Sequence, residues 1–407
     1  MKKVYLIFLL CLYCFNSNAQ SNNDINIGKI ERIYSKILGE ERKVWVHVPK
    51  DKIDGVLIKQ KYPVIYLLDG DAHFSSVVGI MENLSSKSDN NVLPKCIIVG
   101  ITNTNRTRDL TPKIKTKGTP IDSITKANLG GGEKFISFID KELIPKIDLE
   151  YPTAPHKTFI GHSLGGLMVM HTFNKYPDLF NAYIAVDPSM SWDNKTLLKD
   201  ITRNTLHTKY NNKTLFLGIA NTLPNNIDIT RAENDESDQT QHIRSILELK
   251  SFLDNDSQLK FKGTYYENDS HGSSPLISTY DGLRFIFDFY NLKINLHTFY
   301  NPETDVASLI VNHFNKVSKT MGYKIKPYGN YINKMGHQFL NAGQLKKSEA
   351  LFKLNVTNFP KNYQVYNALA NFYEKNKEEE KAIENYKKSM SLNKNSLAKN
   401  KLEELNK

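Results

Sequence analysis

Six short segments of this chain are almost continuously apolar, and segments with helical periodicity lie between them. An uninterrupted apolar run predicts a strand buried on both faces, which is typical of a parallel sheet covered by helices on both sides. An alternating strand, 43–49, comes first, and helical segments are expected at 132–147, 166–176 and 240–254. The sequence therefore predicts an α/β domain with a mostly parallel sheet. The apolar segments are 62–68, 95–101, 157–160, 182–186, 214–220 and 261–266.

Beyond residue 290 the periodicity is helical only. A helix is expected at 303–321 and a link at 324–327, followed by a repeat whose period of 34 residues is that of tetratricopeptide repeats. Two repeats are fewer than the three usually needed for stability, so we expect them to pack on the preceding helix or on the α/β domain. A groove for a protein or peptide partner and a stabilising or dimerising appendage are equally good interpretations. The repeated positions are Met335, Gly336, Phe339, Ser348 and Phe352, which recur as Leu369, Ala370, Tyr373, Ala382 and Tyr386.

The amino terminus has the pattern of a secretory signal peptide. Lys2 and Lys3 precede an apolar run, 4–15, and small and polar residues follow up to Ala19. We expect cleavage after Ala19, export to the periplasm or the extracellular space, and no integral membrane segment afterwards. The predicted organisation is a signal peptide (1–19), an α/β domain (20–295), a helical linker (296–328) and repeats (329–407).

Composition narrows the class of protein. Of 407 residues, 40% are hydrophobic and 24% are charged, as in an ordinary globular protein. The net charge is +11, but the lysines are scattered and no nucleic-acid motif accompanies them, so we expect no nucleic-acid partner. Cys96 is the only cysteine outside the signal and lies in an apolar run. No histidine–carboxylate spacing of a metal site is present, so we predict no metal and no cofactor.

The strongest chemical signal is Gly161-His162-Ser163-Leu164-Gly165, between a predicted strand and a predicted helix. Gly-x-Ser-x-Gly in this context is the nucleophile-elbow pattern, in which glycines permit a sharp turn that exposes the serine. We predict Ser163 as a nucleophile and the N–H of Leu164 as an oxyanion donor. Asp71, after the strand ending at Leu68, is predicted to supply the second N–H donor.

The base and the acid are expected downstream of Ser163. His271 follows the last strand and is predicted to be the base, whereas His242 lies in a predicted helix and is expected to have a surface or packing role. The acid is expected in the loop after 214–220, and spacing alone does not choose among its carboxylates. These are Asp228, Glu233, Asp235, Glu236 and Asp238.

Two further loops follow predicted strands. We expect Arg106 to pair with Asp109 and brace the site, with substrate contact by Arg106 as the alternative. Trp192, after the strand 182–186, is a candidate aromatic contact for substrate.

Together, Leu67-Leu68-Asp69-Gly70, Arg108-Asp109-Leu110-Thr111-Pro112, the Ser163 motif and Asp269-Ser270-His271-Gly272 resemble the putative-esterase family, over roughly residues 25–295. That family includes enterochelin, feruloyl and acetylxylan esterases, S-formylglutathione hydrolase and the antigen-85 mycolyltransferases. The resemblance implies an α/β-hydrolase fold, Ser163 as nucleophile, His271 as base and backbone donors at Leu164 and Asp71. It also favours Asp235 as the acid, with Asp228 as the next choice, because the family's acid commonly lies within a few dozen residues before its histidine. Some members of the family manage with a Ser–His pair, so a pair without an acid is the alternative.

The sequence thus predicts an exported serine esterase acting on a small-molecule or glycan ester through an acyl-enzyme. The siderophore, feruloyl, acetyl and thioester classes are not distinguished. The alternatives are an acyltransferase of the antigen-85 type and a hydrolase-fold scaffold that binds a protein partner through its repeats. The intact Ser163, His271 and elbow glycines favour an enzyme over a scaffold.

Overall fold

The computed structural model describes residues 25–49, 52–53, 56–57, 60–85, 92–116, 128–203, 210–225, 227–394 and 397–405. The predicted signal peptide lies outside these residues. Within them, no helix combines the length and the apolar character that a membrane crossing requires.

The amino-terminal part contains a sheet of eight strands and a separate two-stranded sheet. The strands are β1 (Lys29–Ser35), β2 (Glu40–His47), β3 (Lys52–Ile53), β4 (Val56–Leu57), β5 (Tyr62–Leu67), β6 (Ile97–Ile101), β7 (Thr153–His162), β8 (Ala182–Val186), β9 (Thr214–Ala220) and β10 (Lys260–Tyr266). The sheet order is β1-β2-β6-β5-β7-β8-β9-β10, and β3 pairs with β4. Strand β2 is antiparallel to both of its neighbours, and all other neighbours in the sheet are parallel.

Helices cover both faces of this sheet. They are α1 (Gly70–Ser85), α2 (Arg106–Asp109), α3 (Gly132–Phe138), α4 (Ile144–Glu150), α5 (Leu164–Lys175), α6 (Trp192–Arg203), α7 (Ile229–Ala232), α8 (Gln241–Asp254) and α9 (Ser274–Ile286). A π-helical segment, Ile139–Leu143, joins α3 to α4. Short 3₁₀ turns lie at Pro177–Leu179, Asp238–Thr240 and Asp288–Tyr290.

The alternation along β5 shows why its sequence is apolar throughout. Val64 and Tyr66 belong to a core cluster that includes side chains of α3, α4, α5, α6 and α8. Ile65 and Leu67 point the other way, into a cluster with α1 and α9. Each buried aliphatic side chain contributes roughly 1.5–3 kcal/mol, so both faces need a helical cover. The predicted mostly parallel sheet with helices on both faces is confirmed. The elements of the amino-terminal part that were not predicted are β1, β3, β4, α1, α2, α6 and α7.

The carboxyl-terminal part is helical. Its helices are α10 (Leu296–Tyr300), α11 (Val306–Met321), α12 (Gly329–Asn341), α13 (Leu345–Asn358), α14 (Tyr363–Lys375), α15 (Glu379–Leu392) and α16 (Ala398–Leu405). The pair α12–α13 begins and ends 34 residues before the pair α14–α15, which is the period read from the sequence. All ten repeated positions are buried. Small residues are needed where helices cross, since a Cβ on Gly336 would lie 2.8 Å from the Phe352 ring.

Helix α11 connects the two parts. Val317 and Met321 pack into the core cluster formed with α1 and α9. Ile310 and Phe314, nearer its amino end, pack with side chains of α12 and α13. The repeats therefore rest on the preceding helix, as expected for a pair too short to stand alone.

Candidate active site

Three neighbouring parallel strands, β5, β7 and β8, end at the same edge of the sheet, and each is followed by a strained residue. Asp69, Ser163 and Asp187 have φ angles of 51°, 60° and 41°. A non-glycine residue in this region costs of order 1–3 kcal/mol and persists only when its surroundings hold it. Strain of this kind concentrates at functional sites, so this edge is the candidate site.

Ser163 occupies the sharp turn that its motif predicts. A Cβ on Gly161 would lie 2.4 Å from the carbonyl oxygen of Gly165, so that position admits only glycine. The N–H of Ser163 donates to the carbonyl of Val186 (3.0 Å), and its own carbonyl accepts from the N–H of Ser189 (3.1 Å). The turn is thereby tied to the neighbouring strand, and α5 begins at the next residue.

His271 lies in the loop after β10 and is bonded to Asp187. Its Nδ1 donates to Asp187 Oδ2 at 2.5 Å. With the proton on Nδ1, the other ring nitrogen is left as the basic one, which a general base requires. The loop is held in place because the N–H of Asn221, after β9, donates to the carbonyl of Asp269 (2.7 Å).

Asp187 is fully buried and accepts three hydrogen bonds. Besides His271, the Nε2 of His242 donates to Oδ2 (3.0 Å) and the N–H of Ala220 donates to Oδ1 (3.0 Å). Burial by itself raises the pKa of Asp187, but the hydrogen bonds from His242 and His271 outweigh it and bring the pKa to about 2. The carboxylate is therefore charged at neutral pH and orients both imidazoles.

The structure does not bring Asp235 to His271, which corrects the choice made from sequence. Asp235 Oδ2 accepts from Ser237 Oγ (2.5 Å) and from Thr240 Oγ1, so it closes the turn before α8. Asp228 is the N-cap of α7 and accepts from the N–H of Arg231 (2.9 Å). The remaining candidates of that loop, Glu233, Glu236 and Asp238, are exposed.

Arg106 braces the site, but with a different partner from the one expected. Its guanidinium forms a two-pronged ion pair with Asp69 (2.7 and 2.9 Å) and donates to the carbonyl of His162 (3.3 Å). Asp109, the expected partner, is paired with Arg42 (2.5 Å) and Arg108 (2.7 Å) instead. The hydrogen bond to Asp69 raises the pKa of Arg106. Arg106 therefore links the strained end of β5 to the serine turn.

The predicted oxyanion donors, Leu164 and Asp71, both lie in the first turn of a helix, at the first position of α5 and the second position of α1. N–H groups in a first turn have no acceptor within their own helix, and the helix dipole favours an anion there. The two helix starts are close together. A Cβ placed on Gly165, the second residue of α5, would lie 3.2 Å from Oδ2 of Asp69, the residue before α1.

The ring of His162 lies between two other imidazoles. Its centroid is 4.5 Å from that of His271 and 5.8 Å from that of His73. Burial lowers the pKa of His162 to about 4, with His271 and His73 contributing. The ring is neutral at neutral pH and packs beside the proposed base without competing for its proton.

Trp192 is the first residue of α6 and comes three residues after Ser189, whose hydroxyl lies near that of Ser163. Ser189 Oγ is 3.5 Å from Ser163 Oγ, and the N–H of Trp192 donates to the Ser189 carbonyl (3.1 Å). The indole packs against the core, and its Nε1–H has no hydrogen-bond partner among the described residues.

Sequence reasoning missed two residues of this cluster. Asp187 carries a signal, because it directly follows an apolar strand beside the elbow strand, but no role was predicted for it. His242 carries none, since its pattern is that of a helix. The ligand-type atoms of Asp187, His242 and His271 lie within 4.8 Å of one another. Their contacts are imidazole N–H bonds to a carboxylate, so hydrogen bonding explains this arrangement fully.

Comparisons with known proteins agree with this geometry. Ferri-bacillibactin esterase BesA of Bacillus subtilis (strain 168) is 32% identical over 169 residues, which are 39% of this chain and 58% of that protein. A siderophore enterobactin esterase of Emericella nidulans is 29% identical over 34% of this chain and 50% of its own length. The match thus spans only about half the length of these curated relatives.

Among solved structures, an IroE-like serine hydrolase from Shewanella oneidensis superposes with a TM-score of 0.62 and 27% identity, over 81% of this chain and 98% of that one. The α/β-hydrolase fold is thereby confirmed. The sequence profile of the family described as Putative esterase matches residues 35–243, which is just over half of the chain. With the serine turn, the histidine and the buried aspartate meeting at one sheet edge, this chain belongs to the Putative esterase family.

Proposed function

We propose that this protein hydrolyses carboxylic esters through an acyl-enzyme formed on Ser163. The single observation that carries the proposal is the bond of His271 Nδ1 to the buried Asp187, next to a strained serine at the same edge of the sheet. These contacts support a triad in which Asp187 orients His271 and His271 activates the Ser163 hydroxyl as a nucleophile.

In the proposed reaction, Ser163 Oγ attacks the ester carbonyl while His271 takes the hydroxyl proton. Asp187 holds His271 in the required tautomer and stabilises the imidazolium that forms. The N–H groups of Leu164 and Asp71 stabilise the oxyanion. His271 then protonates the leaving alcohol, and a water molecule, deprotonated by His271, releases the acid and restores Ser163.

Siderophore esters are the substrate class that we propose. The activities of the two siderophore esterases to which this chain is similar support it. Trp192 remains a proposed aromatic contact, because its half-buried side chain follows Ser189, whose hydroxyl lies 3.5 Å from that of Ser163. The feruloyl and acetyl classes are the competing substrates.

The test is hydrolysis of short p-nitrophenyl esters by wild type, Ser163→Ala and His271→Ala, followed by a panel of siderophore, feruloyl and acetyl esters. We expect both variants to lose activity and wild type to prefer the siderophore. A serine-directed phosphonate that fails to label Ser163 contradicts the mechanism. Adding a sugar or alcohol acceptor distinguishes hydrolysis from acyl transfer, because a transferase yields a new ester instead of the free acid.

Export of the mature chain is a further part of the proposal, supported by the residue pattern of 1–19. Cell fractionation and amino-terminal sequencing of the exported protein test it. The expected first residue is Gln20. Recovery of the intact chain in the cytoplasm contradicts it.

We also propose that the helical part binds an extended peptide. A cavity of about 550 Å³ is lined by Asn330, Asn333 and His337 on α12. The residues 34 positions later, Gln364, Asn367 and Asn371 on α14, line the same cavity. Side-chain amides pair with peptide N–H and C=O groups, so the six polar side chains of this lining suit a peptide backbone.

This groove can be tested with a peptide selected from a library against the full chain. Its affinity is then measured for wild type, Asn333→Ala and Asn341→Ala, an exposed asparagine at the end of α12. We expect about a tenfold loss for Asn333→Ala alone, as for a buried hydrogen-bond partner. Equal affinity for all three proteins places the peptide elsewhere.

A further inference from the structure

His242 is bound to the same carboxylate oxygen as His271. Its Nε2 lies 3.0 Å from Asp187 Oδ2, and the two imidazole centroids are 5.5 Å apart with nearly perpendicular planes. His242 is the second residue of α8, and about a quarter of its side chain is exposed. The two histidines thus approach Asp187 from separate elements, α8 and the loop after β10.

His242 reaches Asp187 through Nε2, whose N–H donates to the carboxylate oxygen. A donor is also what the site needs, because Asp187 is fully buried and a charge without partners is costly in such a place. The N–H groups of His242 and Ala220 supply the two further hydrogen bonds that Asp187 would lack if His271 were its only donor.

Sharing the oxygen has two consequences. The bond from His242 fixes the rotation of the carboxylate, so Oδ2 stays in line with Nδ1 of His271. It also withdraws part of the negative charge that Asp187 directs at His271, and a less negative partner makes His271 a weaker base. The first effect supports turnover, and the second sets the pH at which the base becomes active.

We propose that His242 is a positioning residue of the catalytic site, which holds Asp187 in place and moderates the charge it presents to His271. This inference rests on the proposed esterase function. It assigns no proton transfer to His242. Asp187 therefore accepts hydrogen bonds from two imidazoles, and only that of His271 takes part in proton transfer.

Three variants separate positioning from packing. His242→Gln places an amide N–H close to where Nε2 stood, His242→Asn carries the same amide on a side chain too short to reach, and His242→Phe keeps the ring without a donor. Each is assayed for kcat, KM and the acidic limb of kcat/KM on p-nitrophenyl butyrate. Ser163→Ala and thermal unfolding are measured alongside.

The pH profile is informative because the other titratable groups nearby are the same in every variant. His162 is neutral above about pH 4 and does not shape the acidic limb at higher pH. The remaining groups lie on the elements packed against α8 and on the turn before it. They are Asp193, Lys195, Lys199, Asp200 and Arg203 on α6, Lys260, Lys262, Tyr265 and Tyr266 on β10, Glu267 just after it, and Asp235, Glu236 and Asp238 before α8.

For His242→Phe and His242→Asn we expect kcat to fall about tenfold with KM changed less than about twofold, and the acidic limb to move up by about half a pH unit or more. His242→Gln is expected to restore both the rate and the limb. Equal losses in all three variants with an unmoved limb, or wild-type behaviour of His242→Phe, overturn the inference. If Ser163→Ala retains full activity, the esterase function itself has failed, whatever the His242 variants do.

Discussion

Replacing Asp187 by asparagine removes one charge and one acceptor from the centre of the site. Three N–H donors, from His271, His242 and Ala220, converge on two carboxylate oxygens. An asparagine offers a single oxygen, and its amide group is itself a donor. Whichever way the amide turns, at least one of the three donors faces another donor in a fully buried place.

The size of the effect follows from which donor loses its acceptor. If the amide oxygen takes the N–H of Ala220, the amide NH₂ faces His271, which must then move its proton to the nitrogen that serves as base. An imidazole in that tautomer cannot accept the Ser163 proton, and such a change lowers kcat by about 10⁴-fold in a serine triad. At about 1.4 kcal/mol for each factor of ten, the barrier rises by about 5 kcal/mol.

The assay is steady-state hydrolysis of p-nitrophenyl butyrate, with Asp235→Asn as the matched control. Asp235 makes its bonds to the exposed turn before α8, so that variant is expected to stay within about threefold of wild type. Thermal unfolding of both variants checks that they are folded. A loss of less than tenfold for Asp187→Asn, or a larger loss for Asp235→Asn, refutes the assignment of Asp187 as the acid.

Three further predictions concern the framework of the site. Gly161→Ala is expected to abolish hydrolysis and to lower the free energy of unfolding by about 1–3 kcal/mol, because its Cβ overlaps a carbonyl oxygen. Gly272→Ala has open space around its Cβ and should leave both quantities unchanged in the same assay and urea titration. Arg106→Lys keeps the charge but not the two-pronged bond to Asp69, so kcat should fall about tenfold, and wild-type turnover would show that the brace is dispensable. His156 is buried and its pKa is lowered to about 4, so between about pH 6.5 and 4 only the unfolded chain is protonated there and stability falls as pH falls. Urea titrations at pH 7 and pH 4 should therefore show a loss about 3 kcal/mol smaller for His156→Leu than for wild type, and identical losses contradict this explanation.

Local patterns sufficed for part of the site. The glycines on either side of Ser163 can be recognised from the sequence, because the clash that they avoid is local. It is between a Cβ at position 161 and the carbonyl oxygen of Gly165, four residues later. His271 was predicted from its place in the chain order, as the histidine that follows the last strand. The expected pairing of Arg106 with Asp109 was wrong, because its partner Asp69 lies 37 positions earlier in the chain, where local spacing gives no indication of it.

What the sequence by itself determined is therefore what depends on near neighbours along the chain: the two-sided burial of β5, the serine turn and the 34-residue period of α12–α15. The tertiary structure alone decided which carboxylate meets His271. Asp187 is 84 residues from His271 and 55 from His242, and these groups meet because β7, β8, β9 and β10 are consecutive in the sheet. A hydrogen bond depends on distance in space, which the order of strands sets and which residue spacing along the chain does not record.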